Sequence, residues 1–272
     1  MGVGRKIVVV AAALVLIVAA FAFGFWTSKN PGTPMPAANV WSYTVKTTNI
    51  NETGDFGAAY KVSVGVPEFS GPDTQAIRVV NTMFRDRARK NIDDFATAAD
   101  QTVPEDAGAG LELTEKATVQ RIGLIAAVEF SGNWYGGGAH GLTVSDWTLI
   151  RTDTWQVIAK DQLFLPTART AAGATRLAGV IAPRIKGSAG DPSCTTDAAT
   201  LLAGGQSPTG PTTPTSFEDS MLVGMRVDSM QFDFAEYYLF SYGCGRAVAT
   251  VPFSELDGLI NPDVVRLATH QP

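Results

Sequence analysis

An α+β domain is the fold class this sequence predicts, with antiparallel sheets and packed helices behind one N-terminal transmembrane helix. Three observations carry the expectation. Apolar and polar residues alternate through much of residues 41–66 and 111–158, the period of half-buried strands. Between those regions the apolar residues recur every three or four positions, the period of a helix with one buried stripe. The chain opens with a single long apolar run.

That run extends from Ile7 to Trp26, directly after Arg5 and Lys6. About twenty helical residues cover roughly 30 Å, the thickness of a bilayer's hydrocarbon core. An uncleaved anchor fits better than a removed signal, since Ala20-Phe21-Ala22 is a poor cleavage site and Phe23 to Trp26 remain apolar beyond it. Positive residues before the span leave residues 1–6 as a cytoplasmic tail and send everything after Trp26 outside. The expected location is therefore the cell membrane, single-pass, with secretion after cleavage as the alternative. Residues 27–39, TSKNPGTPMPAAN, are rich in proline and small polar residues and read as a spacer. Residues 40–272 show no repeat and no sharp internal boundary, so they read as one extracytoplasmic domain.

Within it, Trp41, Tyr43 and Val45 and then Tyr60, Val62, Val64 and Val66 mark two strands. Ile77, Val80, Phe84, Ala88, Ile92 and Phe95 form the stripe of a long helix. Its other face, with Arg78, Arg85, Arg87, Arg89 and Lys90 among three aspartates, reads as a solvated surface with local ion pairs. Strands follow at 111–119, 122–130, 142–150 and 156–158, with connections short enough to favour antiparallel pairing. A helix is expected over 168–186, weakened by Gly173, Gly179 and Pro183. Residues 187–216 read as a flexible insertion with a short helix near Asp197 to Leu202. Strands at 231–234 and 246–251 close the pattern, and Ser254 with Asp257 suggests a capped helix running through Ile260.

Composition excludes some functions. A net charge of −5 supplies no broad positive surface, so nucleic acid is not an expected partner. Two histidines far apart, without C-x-x-C or H-x-x-x-H spacing, give no metal signature. No P-loop or dinucleotide fingerprint is present, so no cofactor is expected. Cys194 and Cys244 both fall in the external part, where an even count reads as a disulfide and two cysteines allow one pairing. The alternative, a reactive thiol, has only Arg246 nearby in sequence to activate it.

The stretch NWYGGGAHG, Asn133 to Gly141, concentrates the candidates for chemistry. His140 is the only interior histidine, and with no G-x-S-x-G elbow in the chain a serine hydrolase would have to pair it with Ser131, Ser145 or Ser241 and with Asp146. Asp233, Glu236 and Glu255 cannot be ranked as acids or bases from sequence. The aromatic rings of Trp134, Tyr135 and Trp147 could stack on sugars or anchor a protein, with core packing as the competing role.

Two motifs carry a family resemblance. YGGGAHG followed by an aromatic-bearing strand and RTDTWQVIAKDQLF, and then MQFDFAEYYLFSYGCGRAVATVPFSELDGLI near the C-terminus, resemble in order and content the RsiV-like extracytoplasmic domains. That family includes a membrane-anchored anti-sigma factor that senses lysozyme, N-terminal modules of peptidoglycan deacetylases and small secreted mycobacterial antigens. The resemblance implies an α+β fold in which the glycine turn lies near the closing loop, and it implies no activity. With about six residues before the span, too few for an interface of standard size, no sigma-factor partner is expected. No deacetylase domain is expected either. GCG at Gly243 to Gly245 departs from the family's closing loop, and a bridge from Cys194 would tether the insertion beside it.

The resulting expectation is a binding module without catalytic activity, for cell-wall glycan or for a protein ligand such as a muramidase. Its candidate ligand-binding residues are Trp134, Tyr135, Gly137, Gly138, His140, Trp147 and Tyr242. The alternatives are an envelope esterase using His140 and a secreted immunogenic protein. Gly136 to Gly141 are expected to form a strand-connecting turn with glycines at positive φ and His140 held by backbone hydrogen bonds.

Overall fold

A computed structural model describes residues 43–56, 58–100, 110–137, 139–203 and 220–270. The anchor at 7–26, the spacer at 27–39, Gly138 and the second half of the insertion lie outside the described residues. No helix among the described residues is long and apolar enough to cross a membrane.

Two sheets and one long helix make a mixed α+β fold. Strand β1 (Thr44–Phe56) turns directly into β2 (Ala58–Ser70), helix α1 (Thr74–Asp100) crosses over, and β3 (Leu111–Ile122), β4 (Ile125–Tyr135), β5 (Leu142–Arg151) and the short β6 (Gln156–Val157) complete a six-stranded sheet in sequence order. Pairing is antiparallel except between β2 and β3, which run parallel. The all-antiparallel expectation is corrected at this one place. A strand that continues through a 27-residue helix returns to the sheet edge from the same end, and that connection is the kind a parallel neighbour requires.

After β6 come α2 (Lys160–Leu163), α3 (Ala171–Ile181) and the two-residue β7 (Lys186–Gly187), then α4 (Ala198–Leu202). The helix expected over 168–186 is broken into α3 flanked by two 3-10 turns, Pro166–Arg169 and Ala182–Arg184, because Pro183 cannot donate the next helical hydrogen bond. A strand that periodicity does not announce, β8 (Met221–Met225), pairs with β9 (Ser229–Phe234), which pairs with β10 (Ala247–Pro252), giving a second sheet in the order β7-β10-β9-β8. The helix expected from Ser254 is only a 3-10 turn, Phe253–Glu255; the terminal helix is α5 (Pro262–Thr269), whose start is set by Asn261 accepting from the Asp263 amide and by Pro262 in its first turn.

Two apolar cores result. Under α1, the stripe Ile77, Val80, Phe84, Ala88, Ile92 and Phe95 packs on Val62, Val64, Leu113, Val128 and Phe130 of the first sheet. Rings continue across it: Phe69 stacks on Phe84 at 6.0 Å, and Tyr43 and Trp155 meet Phe69 at 5.7 and 5.6 Å. Asn81, a buried polar break in the stripe, accepts from the Phe69 amide at 2.8 Å and donates to the Phe69 carbonyl at 2.9 Å, satisfying two backbone groups that burial would otherwise leave costly. The second core lies between α3, α5 and the apolar face of the second sheet, with Phe232, Phe234, Met230, Val251, Leu177 and Leu256 at its centre.

Candidate functional site

Alternation along the first sheet separates its two faces. Even-numbered residues of β2, β4 and β5 and odd-numbered residues of β3 turn toward α1; their neighbours turn the other way, partly toward the second sheet.

On the α1 face lies one ionic cluster. Arg87 donates to both carboxylate oxygens of Glu115 at 2.6 and 3.0 Å and to Asp146 at 3.1 Å, with its guanidinium 3.6 Å over the Phe130 ring. The Glu115 side chain is 0% exposed. Arg87 therefore does not belong to the solvated helix face that its sequence neighbours predict. Burial works against its charge, and the hydrogen bonds and charges of Glu115 and Asp146 outweigh that, so its pKa is raised and it stays protonated. The remaining basic face behaves as expected, with Arg89 paired to Glu52 and Lys90 to Asp94.

Across β5, the odd-numbered residues engage the second sheet. Trp147 donates from its indole Nε1 to Asp233 at 2.7 Å, and its ring lies on Gly224, where a Cβ would collide with it. Arg226 sits 4.9 Å over the same ring and reaches Glu129 at 3.0 Å. Asp233 is 0% exposed, accepts from Gln231 and Ser145 as well, and has the Arg246 guanidinium 3.6 Å away. Trp147 is thus a bolt between the sheets. Trp134 faces the opposite way and meets Phe95 of α1 edge-on at 5.0 Å, with its indole Nε1 against Gly136 of the glycine loop, so neither indole joins His140. Tyr135, at the end of β4, stands opposite Glu112 of β3.

The loop itself meets the closing segment. His140 stacks on Tyr242 with ring centroids 3.9 Å apart and planes at 21°, and Tyr237 lies 6.0 Å away at 29°. Tyr237 donates from its hydroxyl to His140 Nε2 at 2.8 Å, and Nδ1 lies 3.1 Å from the Gly141 carbonyl. A carbonyl only accepts, so Nδ1 carries the proton and Nε2 offers its lone pair to the phenol. Desolvation, then the charges of Glu236 and Tyr242, raise the Tyr237 pKa, which keeps the phenol in its donating form. Next to it, Glu236 accepts from both the amide and the hydroxyl of Thr143. Gly137 adopts φ 99°, the conformation expected of this turn. Tyr237 sits at φ 64°, unusual for a bulky residue and costing on the order of 1 kcal/mol; the strain aims its ring at His140.

A disulfide holds the closing loop from behind. Cys194 and Cys244 are bonded, with Cα atoms 5.8 Å apart at a sequence separation of 50. Cys244 ends the 3-10 turn that begins at Tyr242, and Gly245 leaves that turn at φ 66°, where a Cβ would strike the Ser188 hydroxyl. The bridge therefore fastens Tyr242 to the strand β7 region. Tyr242 and Leu142 are left 44% and 47% exposed, so the step of rings opens to solvent.

Of the sequence candidates, His140 and Tyr242 come together. Ser145 faces Asp233 and Asp146 faces Arg87 on the other side of the same strand, so neither accompanies His140. Tyr237 and Thr143 are not among the sequence candidates, and Glu236 is there only as a carboxylate that sequence cannot rank. Their partners are distant in sequence, 97 residues for Tyr237 with His140 and 93 for Thr143 with Glu236, and only the tyrosine pair in EYYLF hinted at an aromatic role.

No protein-family model matches the chain and no curated protein sequence is similar to it. Solved structures are. A DUF3298 family protein from Pseudomonas aeruginosa PAO1 superposes with a TM-score of 0.51 at 15% identity over 82% of this chain and 96% of its own. A DUF3298 family member from Bacteroides fragilis NCTC 9343 gives 0.56 at 16% identity over 84% of this chain and 98% of its own. At such identities the likeness concerns the fold: this chain folds as DUF3298 family proteins do.

Proposed function

We propose that the chain is a non-catalytic, membrane-anchored extracytoplasmic binding module of the RsiV-like kind, which presents the Tyr237–His140–Tyr242 step to cell-wall glycan or to a protein such as a muramidase. The observation that carries this reading is the state of His140. Both ring nitrogens contact protein groups, Tyr237 and the Gly141 carbonyl, while the stacked ring of Tyr242 remains open. An imidazole occupied in this way serves as a rigid support for a binding surface, and aromatic faces held at low entropic cost are effective anchors. The same occupancy argues against the esterase alternative, which needs Nε2 for a serine. The disulfide supports the extracytoplasmic placement, because such bridges persist in oxidising compartments.

The test is a pull-down of the full chain, in detergent, with sedimented peptidoglycan and with lysozyme. Tyr242→Ala should reduce retention on at least one of them by about tenfold or more. Equal retention of the variant and the unmodified chain on both would remove the ring step from the function.

A further inference from the structure

The polar face of the first sheet has an order that the ring step alone does not use. Strand register aligns Asn51 of β1 with Ser63 of β2, Ser63 with Thr114 of β3, Thr114 with Asn133 of β4, and Asn133 with Thr143 of β5. The five side chains share one face, opposite α1, and all are exposed or half-buried. Neighbouring strands lie ~4.8 Å apart, so the row runs about 19 Å across the sheet. Over β1 to β3 it forms the floor of a groove of about 330 Å³, with Lys61 and Glu112, register partners, along one side. A second row, Lys116, Ser131 and Ser145, flanks the other. The far end is Thr143, held by Glu236 next to Tyr237. The row thus ends at the residue that Glu236 holds beside the ring step.

We infer that this row is a track for an uncharged, hydroxyl- and acetamide-bearing linear glycan, whose end residue stacks on Tyr242. The inference rests on the proposed function and names its ligand class. Two features select that class. Hydroxyl and amide side chains both donate and accept, as the hydroxyl and acetamido groups of a sugar polymer do. Lys61 and Glu112 offset one another in register and Lys116 is the flanking rows' one further charge, too weak a field to select a polyanion or a polycation. The length of the track requires several sugar units to fill it, whereas the ring step needs one.

The experiment is calorimetric titration of the full chain, in detergent, with the disaccharide and the pentasaccharide of β-1,4-linked N-acetylglucosamine. The pentasaccharide should bind about tenfold more tightly than the disaccharide, the yield of two or so added net hydrogen bonds. Combining Asn51→Ala with Thr114→Ala should remove that advantage and leave the disaccharide unchanged, while Tyr242→Ala weakens both. Equal affinity for the two oligomers, lost on Tyr242→Ala, overturns the track and keeps the ring step as a binding site. Lysozyme retained in a Tyr242-dependent way with neither oligomer binding overturns the glycan and keeps the module. Length-dependent binding indifferent to Tyr242→Ala keeps the track and sinks the ring step. If the double variant does not fold, the length dependence of the unmodified chain decides.

Discussion

The two faces of the six-stranded sheet are made by the same strands and behave as different materials. Toward α1 the side chains include Val62, Leu113, Val128 and Phe130, closed over by Phe84 and Phe95 and interrupted by one paired charge cluster. On the other side stand Asn51, Ser63, Thr114 and Asn133, exposed or half-buried, whereas Ile125, Ala127 and Leu149 of that same face are buried in the second core. Over β2 and the start of β3 one step along the chain moves a residue from core to surface, while on β4 and β5 it moves a residue from one core to the other. The aromatic residues follow the same division. Trp134 packs on Phe95 and Trp147 lies between the sheets on Gly224, while the rings of the loops, His140, Tyr237 and Tyr242, stack on one another.

Substitutions that treat the faces unequally sharpen this contrast. Phe84→Ala on the α1 side should cost about 4 kcal/mol, as large-to-small changes in closed cores do, seen as a lower denaturant midpoint; Thr114→Ala on the open side should shift it by less than about 0.5 kcal/mol. Similar losses at both would mean that the open face is also core. Replacing Cys194 and Cys244 together by alanine should cost about 4 kcal/mol through the freed 50-residue separation, and should raise hydrogen exchange in 241–245 while leaving α1 protected. Glu115→Gln, which removes the charge that Arg87 is buried against, should cost about 2 kcal/mol; a neutral result would mean Asp146 alone satisfies the guanidinium. The smallest effect is acidic. Asp197 accepts from the Thr200 amide at 2.7 Å, and that hydrogen bond lowers its pKa. A depressed carboxylate stabilises above its ordinary value and loses the contribution as pH falls through its folded value, so protection of the Thr200 amide should decline only below about pH 4. Protection that is flat into strong acid would show that the cap does nothing for α4.

Much of the fold was legible because burial leaves a periodic trace. The stripe from Ile77 to Phe95 appears in place on α1, and the strands beginning at Leu111, Ile122 and Leu142 are recovered to within a few residues of their ends. The gaps have physical causes. β8 follows a stretch of proline, glycine and threonine and is short, with every residue but one buried, so it shows no alternation. Arg87 resembles its solvated neighbours until Glu115, 28 residues away, is seen beneath it.

The chain's own order of residues determined the long helix and most of the strands, that two cysteines had a single possible partner, and that glycine at 137 could take a positive φ. Tertiary structure alone decided which aromatic rings meet. The ring step joins groups about a hundred residues apart, and the hydroxyl row needs five strands in one register. Local periodicity reports whether a side chain is buried; it carries no information about which distant chain segment lies beside it, because that is selected by the packing of whole sheets and helices.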